Sequence, residues 1–144
     1  MREEFPMMMH ADGKPLVLVL EDEALIGITL QDDLEEAGYQ VAGPFMNCAA
    51  ALGWLRTGTP HAAILDASLK DGSCAEVASE LDRRNVPFLI YSGHREDHPL
   101  LTEFPHVTWI EKPAASPVLL EACRQLLAGQ AASGGRSHRF CVNR

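Results

Sequence analysis

The amino-acid sequence predicts an α/β domain, a doubly wound parallel sheet with helices on both faces, and three observations carry that prediction. Apolar runs of strand length recur five times, at residues 16–20, 39–43, 61–65, 86–91 and 106–110. The first, Leu16-Val17-Leu18-Val19-Leu20, is continuous rather than alternating, as suits a strand covered on both faces. Segments with helical spacing stand between the runs, so strand and helix alternate five times from residue 15 to residue 129.

The elements follow in order. Residues 1–14 are a Met-rich tail without a period. After the first strand, Ile26, Leu30 and Leu34 recur every four residues, and Gly38 is placed to stop that helix. Asn47 is a candidate cap for a second helix through Leu52 and Leu55. Asp71-Gly72-Ser73 turns into a third helix, with Val77 and Leu81 on one face. Residues 95–104 promise only a short, poorly patterned helix, with Pro99 near its start or disrupting it. Ser116 and Pro117 read as a cap and a first-turn proline before Leu119, Leu120, Cys123 and Leu127. From Ala131 Ser, Gly and Arg dominate, so the domain is expected to span 15–129 and a disordered tail 130–144.

Composition removes several classes of function. Twelve Lys and Arg against 20 Asp and Glu leave a net charge of −8, which disfavours nucleic-acid binding. Cys48, Cys74, Cys123 and Cys141 form no CxxC pair and no zinc-spaced cluster with His, as expected of a reduced chain. No apolar run approaches the roughly 20 residues that cross a bilayer. The N-terminus lacks the charged, apolar and small regions of a secretory signal. The expectation is a cytoplasmic protein without membrane or nucleic-acid partners.

Sheets of this kind bind ligands beyond the carboxyl ends of their strands. The first strand ends in Glu21-Asp22-Glu23, the third in Asp66, the fourth in Ser92-Gly93, and the fifth in Glu111-Lys112-Pro113. Carboxylates brought together there repel by roughly 4 kcal/mol per pair at 4 Å for an effective dielectric near 20. Either their pKa values rise or a cation joins them. Magnesium, with its preference for oxygen ligands and phosphate, fits such a site, and Lys112 can neutralise a phosphate oxygen.

Four segments now resemble one family. Val19-Leu20-Glu21-Asp22-Glu23, Ile64-Leu65-Asp66, Ile90-Tyr91-Ser92-Gly93 and Glu111-Lys112-Pro113 match, in order and spacing, the signature segments of the receiver domain of two-component response regulators. The resemblance implies a flavodoxin-like fold of five parallel strands in the order 2-1-3-4-5 with five helices. Residues 88–94, 60–66 and 38–44 further resemble single-domain, chemotaxis-regulator-like members from alphaproteobacteria, although those carry Thr-Gly-Tyr where this chain has Ser92-Gly93-His94.

Carried over residue by residue, the resemblance makes Asp66 the phosphoacceptor; the alternative is a capping or turn Asp before Ser68. Asp22 would hold Mg²⁺ directly, Glu21 through a water, and the backbone carbonyl of Ser68 would add an oxygen. The family often has Asp where Glu21 stands, and acidic residues opening a helix also favour its dipole, the reading that suits Glu23 better. Ser92 matches the switch hydroxyl, unless it merely satisfies a local backbone group. Lys112 and Pro113 match the family's Lys-Pro pair, in which a cis peptide is usual; a plain surface lysine is the other reading. Trp109 stands where the family has a switch Tyr or Phe, and its indole N–H needs a partner. Ser68 and His94 flank the expected path of hydrolytic water, although an exposed His is the simpler reading.

The implied function is phosphoryl acceptance without enzymatic turnover. A sensor histidine kinase or phosphotransfer protein would be the donor, with output by contact of a downstream protein or as a phosphate sink, and homodimerisation left open. The fourth helix, fifth strand and fifth helix would form the responsive surface. With only a short tail after residue 129, no DNA-binding module is expected. Two rivals stand beside this reading. A constitutive interaction module would not need both Asp66 and Lys112, and an Asp-nucleophile phosphohydrolase would want a second Asp where Ser68 stands.

Overall fold

The computed structural model describes residues 13–93 and 98–133, with the side chains of 130–133 left aside. The chain runs β1 (Leu16–Leu20), α1 (Ala24–Glu36), β2 (Gln40–Phe45), α2 (Cys48–Leu55) and β3 (Ala62–Leu65). It continues through β4 (Ser68–Leu69), β5 (Gly72–Ser73), α3 (Ala75–Arg83), β6 (Phe88–Ser92), α4 (Leu100–Glu103), β7 (Thr108–Glu111) and α5 (Ser116–Ser133). Five strands pair in parallel in the order β2-β1-β3-β6-β7. The fold class is as expected, but the plain order 2-1-3-4-5 omits two strands: β4 and β5 form a separate antiparallel hairpin after β3.

Alternation along each strand divides the apolar side chains between the two faces. Leu16, Leu18 and Leu20 of β1 join Ala51, Leu55, Val77 and Leu81 in the core under α2 and α3. Val17 and Val19 join Leu30, Leu34, Leu119 and Cys123 in the core under α1 and α5. All five residues of β1 are buried, which is why its sequence is uninterrupted by polar residues. No helix among the described residues is long and apolar enough to cross a membrane.

Two glycines are needed for backbone reasons. Gly38 ends α1 at φ +103°, and behind it the Tyr39 amide returns to the Leu34 carbonyl at 3.0 Å. Gly43, at φ +106°, sits where the β1–β2 register shifts; a Cβ there would lie 2.8 Å from the Val19 carbonyl oxygen. Past that irregularity the Phe45 carbonyl accepts the amide of Glu21 at 2.8 Å, so an extra residue in β2 helps set where the first acidic side chain starts.

Three local expectations need correction. Asp71-Gly72-Ser73 does not lead directly into α3: Gly72 and Ser73 form β5, and Asp71 turns to α2. The Ser116 hydroxyl donates to the carboxylate of Asp33 on α1 instead of capping its own helix, and the amides of Val118 and Leu119 go to the Ala115 carbonyl. Helix α5 also runs to Ser133 and so takes in the first four residues of the expected tail. Residues 1–12 and 134–144 of the two expected tails lie outside the described residues.

Candidate acidic site at the strand ends

Parallel pairing puts the ends of β1, β3, β6 and β7 at one edge, and hydrogen bonds across the strand ends fix them there. The Asp66 amide donates to the Leu20 carbonyl at 2.9 Å, and the Lys112 amide to the Ser92 carbonyl at 2.8 Å. Side chains leaving these four ends must therefore meet.

Asp66 is the centre of the arrangement. It is 5% exposed, and its Oδ1 accepts the Ser92 hydroxyl at 2.7 Å and the Ser68 amide at 3.3 Å. Its Oδ2 takes Lys112 Nζ at 3.2 Å. The same ammonium lies 3.0 Å from Glu21 Oε1 and 3.1 Å from Oε2, so Lys112 bridges two buried carboxylates. Glu21 also accepts the amide of Glu23 at 3.0 Å. Lys112 Nζ lies 5.7 Å from the centre of the Tyr91 ring, and the Tyr91 hydroxyl accepts the Ala114 amide at 3.1 Å. Nothing in the spacing of the sequence singled Tyr91 out; only its place one residue before Ser92 on β6 pointed toward this corner.

Burial sets the electrostatics. Glu21 is 2% exposed, and loss of water pushes its carboxyl up to about 7 against the opposing pull of the Glu23 amide and Lys112. For Lys112, burial acts downward, but the hydrogen bond to Glu21 and the charge of Asp66 outweigh it and hold the amine above its ordinary value. One ammonium thus serves an acidic group larger than it can neutralise.

That imbalance is what a divalent cation would correct. Glu21, Asp22 and Asp66 present carboxylate oxygens that all lie within 4.8 Å of one another. An oxygen-only donor set beside solvent suits a hard ion such as Mg²⁺. The cleft beside them, about 430 Å³, is lined by Asp22, Met46, Asn47, Ala49, Lys70 and Asp71.

The structure therefore brings Glu21, Asp22, Asp66, Ser92 and Lys112 together, with the Ser68 backbone touching Asp66. Glu23 sits at the rim, 4.0 Å from Lys112 and without a side-chain cap on α1. Trp109 stands apart: its indole N–H donates to the Gly93 carbonyl at 3.0 Å, and its ring meets His98 at 5.3 Å between centroids. Peptide Lys112–Pro113 is cis, as expected, and so is Gly43–Pro44, which was not foreseen. His94 lies outside the described residues.

Comparison with known proteins agrees with this fold. No curated protein sequence is significantly similar to the chain. Among solved structures, a CheY-like receiver domain protein from Methanospirillum hungatei has a TM-score of 0.74 at 20% identity, covering 84% of this chain and 99% of that one. At that identity it speaks for the fold alone. SdrG from Sphingomonas melonis is 31% identical with a TM-score of 0.68, covering 79% of this chain and 97% of its own. A response regulator receiver protein from Sinorhizobium medicae is 26% identical with a TM-score of 0.70, covering 82% and 98%. The model of the response regulator receiver domain matches residues 17–124, three quarters of the sequence, and the chain belongs to that family.

Proposed function

We propose that this receiver domain accepts a phosphoryl group on Asp66, with Glu21, Asp22, Asp66 and the Ser68 carbonyl holding Mg²⁺. The observation that carries the reading is the set of partners around one buried carboxylate: a hydroxyl on one oxygen, an ammonium on the other, and two further acids within reach. With a phosphohistidine donor, the P–N bond breaks as an Asp66 oxygen bonds to phosphorus, and the imidazole leaves with the electron pair. When bound, the cation would offset the charge of the acidic group and of the incoming phosphoryl oxygens.

The chain's own residues do the rest. Lys112, now shared between Glu21 and Asp66, is placed to follow charge onto a phosphoryl oxygen. Ser92 spends its hydroxyl on Asp66 Oδ1 and would turn to the phosphoryl group once that carboxylate is phosphorylated. Trp109 holds the carbonyl of Gly93, next to Ser92, and is the aromatic through which movement of Ser92 would be felt. A full switch from 1:99 to 99:1 requires about 5.5 kcal/mol of differential stabilisation.

The donor would be a sensor histidine kinase or a phosphotransfer protein. Exposed Leu25 and Ile28 on α1 and Met46 before α2 are apolar surface for a protein partner close to the acidic residues. Output would pass through a downstream protein, or the domain would act as a phosphate sink in the cytoplasm. Incubation with acetyl phosphate and Mg²⁺ tests the reading by intact mass. The wild type is expected to gain one phosphoryl group and Asp66→Asn none. An equal adduct in both, or none in either, would overturn it.

A further inference from the structure

Asp71 holds a post that the chemistry above does not use. It lies in the turn of the β4–β5 hairpin, five residues after Asp66. Its Oδ1 and Oδ2 each accept the Cys48 amide at 3.1 Å, and Oδ2 also accepts the Ala49 amide at 3.3 Å. These amides open α2, where a carboxylate is favoured by both unsatisfied N–H groups and the helix dipole. The Cys48 amide, aided by that of Ala49, holds the Asp71 carboxyl below the ordinary carboxylate range, so it is charged at neutral pH. Close by, the Cys48 thiol donates to the Ser73 carbonyl at 3.2 Å.

The hairpin connects this anchor to the acceptor. Ser68 pairs with Ser73 and Leu69 with Gly72, and the Cys74 amide returns to the Ala67 carbonyl at 3.2 Å. At the other end of the hairpin, the Ser68 amide touches Asp66 Oδ1. We infer that Asp71 is a positioning residue for the phosphoacceptor: by seating the hairpin turn on the first amides of α2, it keeps Ser68 in register beside Asp66. This rests on the reading of Asp66 and the Ser68 carbonyl given above. Asp71 needs no contact with the cation or the phosphoryl group to act in this way.

Loss of a cap on α2 would destabilise the protein for reasons unrelated to the hairpin, so the control is a different cap on the same helix. Asn47 accepts the Ala50 amide at 2.8 Å and belongs to no part of the hairpin. The full chain is compared as wild type, Asp71→Ala, Asp71→Asn and Asn47→Ala. Thermal unfolding, amide exchange over residues 67–74 without metal, and Mg²⁺ affinity by calorimetry are measured on each. Both alanine variants are expected to unfold at lower temperature. Only Asp71→Ala should speed hairpin exchange and weaken Mg²⁺ binding, by about 10-fold, as loss of an outer-sphere support commonly does. Asp71→Asn, which keeps one oxygen acceptor, should fall between it and the wild type, and it decides the matter if Asp71→Ala does not fold. Wild-type exchange and affinity in the Asp71 variants would overturn the inference, as would an equal loss in Asn47→Ala. A wild type that binds no Mg²⁺ overturns the reading of the site instead, and hairpin exchange in the metal-free variants still decides the role of Asp71.

Discussion

The two flanks of the acidic site are held in different ways. On the α2–α3 flank, α2 is gripped at both ends by side chains from outside it, with one charged group at each end. Asp71 and Asn47 take its first amides, and Arg84, following α3, donates to the Leu55 carbonyl at 2.7 Å, the Gly58 carbonyl at 3.0 Å and Thr59 Oγ1 at 2.9 Å. Glu80 steadies the same guanidinium at 2.6 Å. On the β6–β7 flank, α4 has four residues, of which only Leu100 is buried, and its first amide is taken by His98 Nδ1 at 3.1 Å. Strand β7 is an edge strand of three half-buried residues and the exposed Glu111, and Trp109 is joined to Gly93 by one neutral hydrogen bond. Several charge-assisted bonds resist opening more than a single neutral one does. On the proposed reading of Asp66, the difference gives a response one direction to travel, toward Ser92, Trp109 and α4, with the Asp71 flank as its backing.

Equal truncations on the two flanks should expose this contrast most strongly. Leu81 on α3 is completely buried, and Leu81→Ala is expected to cost about 3–5 kcal/mol in urea unfolding. Leu100→Ala, on a short helix that can settle into the space left, should cost about 2 kcal/mol. Equal losses would erase the contrast. Next in size, Arg84→Ala leaves the Leu55 and Gly58 carbonyls without their donor and should cost about 2 kcal/mol. Arg84→Lys should recover little, because one ammonium cannot serve the geometry of the guanidinium fork.

Between the flanks, Glu21 gives the metal-free protein a particular pH dependence. Its folded value near 7 lies above the ordinary 4.5, so the folded state holds a proton that the unfolded chain has released. Stability from this group is therefore full below about 4.5, falls as pH rises toward 7, and is level above that. Urea unfolding in a chelator from pH 5 to 8 should show the fall, and Glu21→Gln should remove it. A Glu21→Gln variant with the wild-type slope would mean that the carboxyl titrates in its usual range. The smallest effect is expected at the loose flank. Trp109→Phe keeps a ring against His98 but loses the donor to Gly93, for a change below about 1 kcal/mol. Its mark should instead be faster amide exchange around Ser92, with α2 unchanged.

Much of this molecule was legible in the sequence, and the gaps have one cause. Continuous apolar runs located β1, β3 and β6 because burial on both faces leaves no room for polar alternation, and shorter apolar runs marked the half-buried edge strands β2 and β7. The topology then carries Glu21, Asp66, Ser92 and Lys112 to one edge without any need to know their partners. What the sequence hid are side chains that reach partners far along the chain. Asp71 sits 23 residues from Cys48, Arg84 sits 29 from Leu55, and Ser116 sits 83 from Asp33. Such contacts leave no periodic trace, so Asp71-Gly72 resembled only a helix-starting turn and Ser116 only a cap. Gly43 fared similarly, since the need for a positive φ comes from its neighbour Val19 on another strand.

The central claim is that Asp66, and no other residue, takes the phosphoryl group. Borohydride reduces an acyl phosphate to an alcohol, converting the acceptor Asp to homoserine and leaving free carboxylates and phosphate esters intact. After exposure to acetyl phosphate and Mg²⁺, then reduction and proteolysis, peptide mass spectrometry reads the acceptor directly. Homoserine at position 66 alone is the expected result; homoserine at Asp22 or another acid, or a phosphoryl group that survives reduction on Ser92 or a histidine, would contradict it.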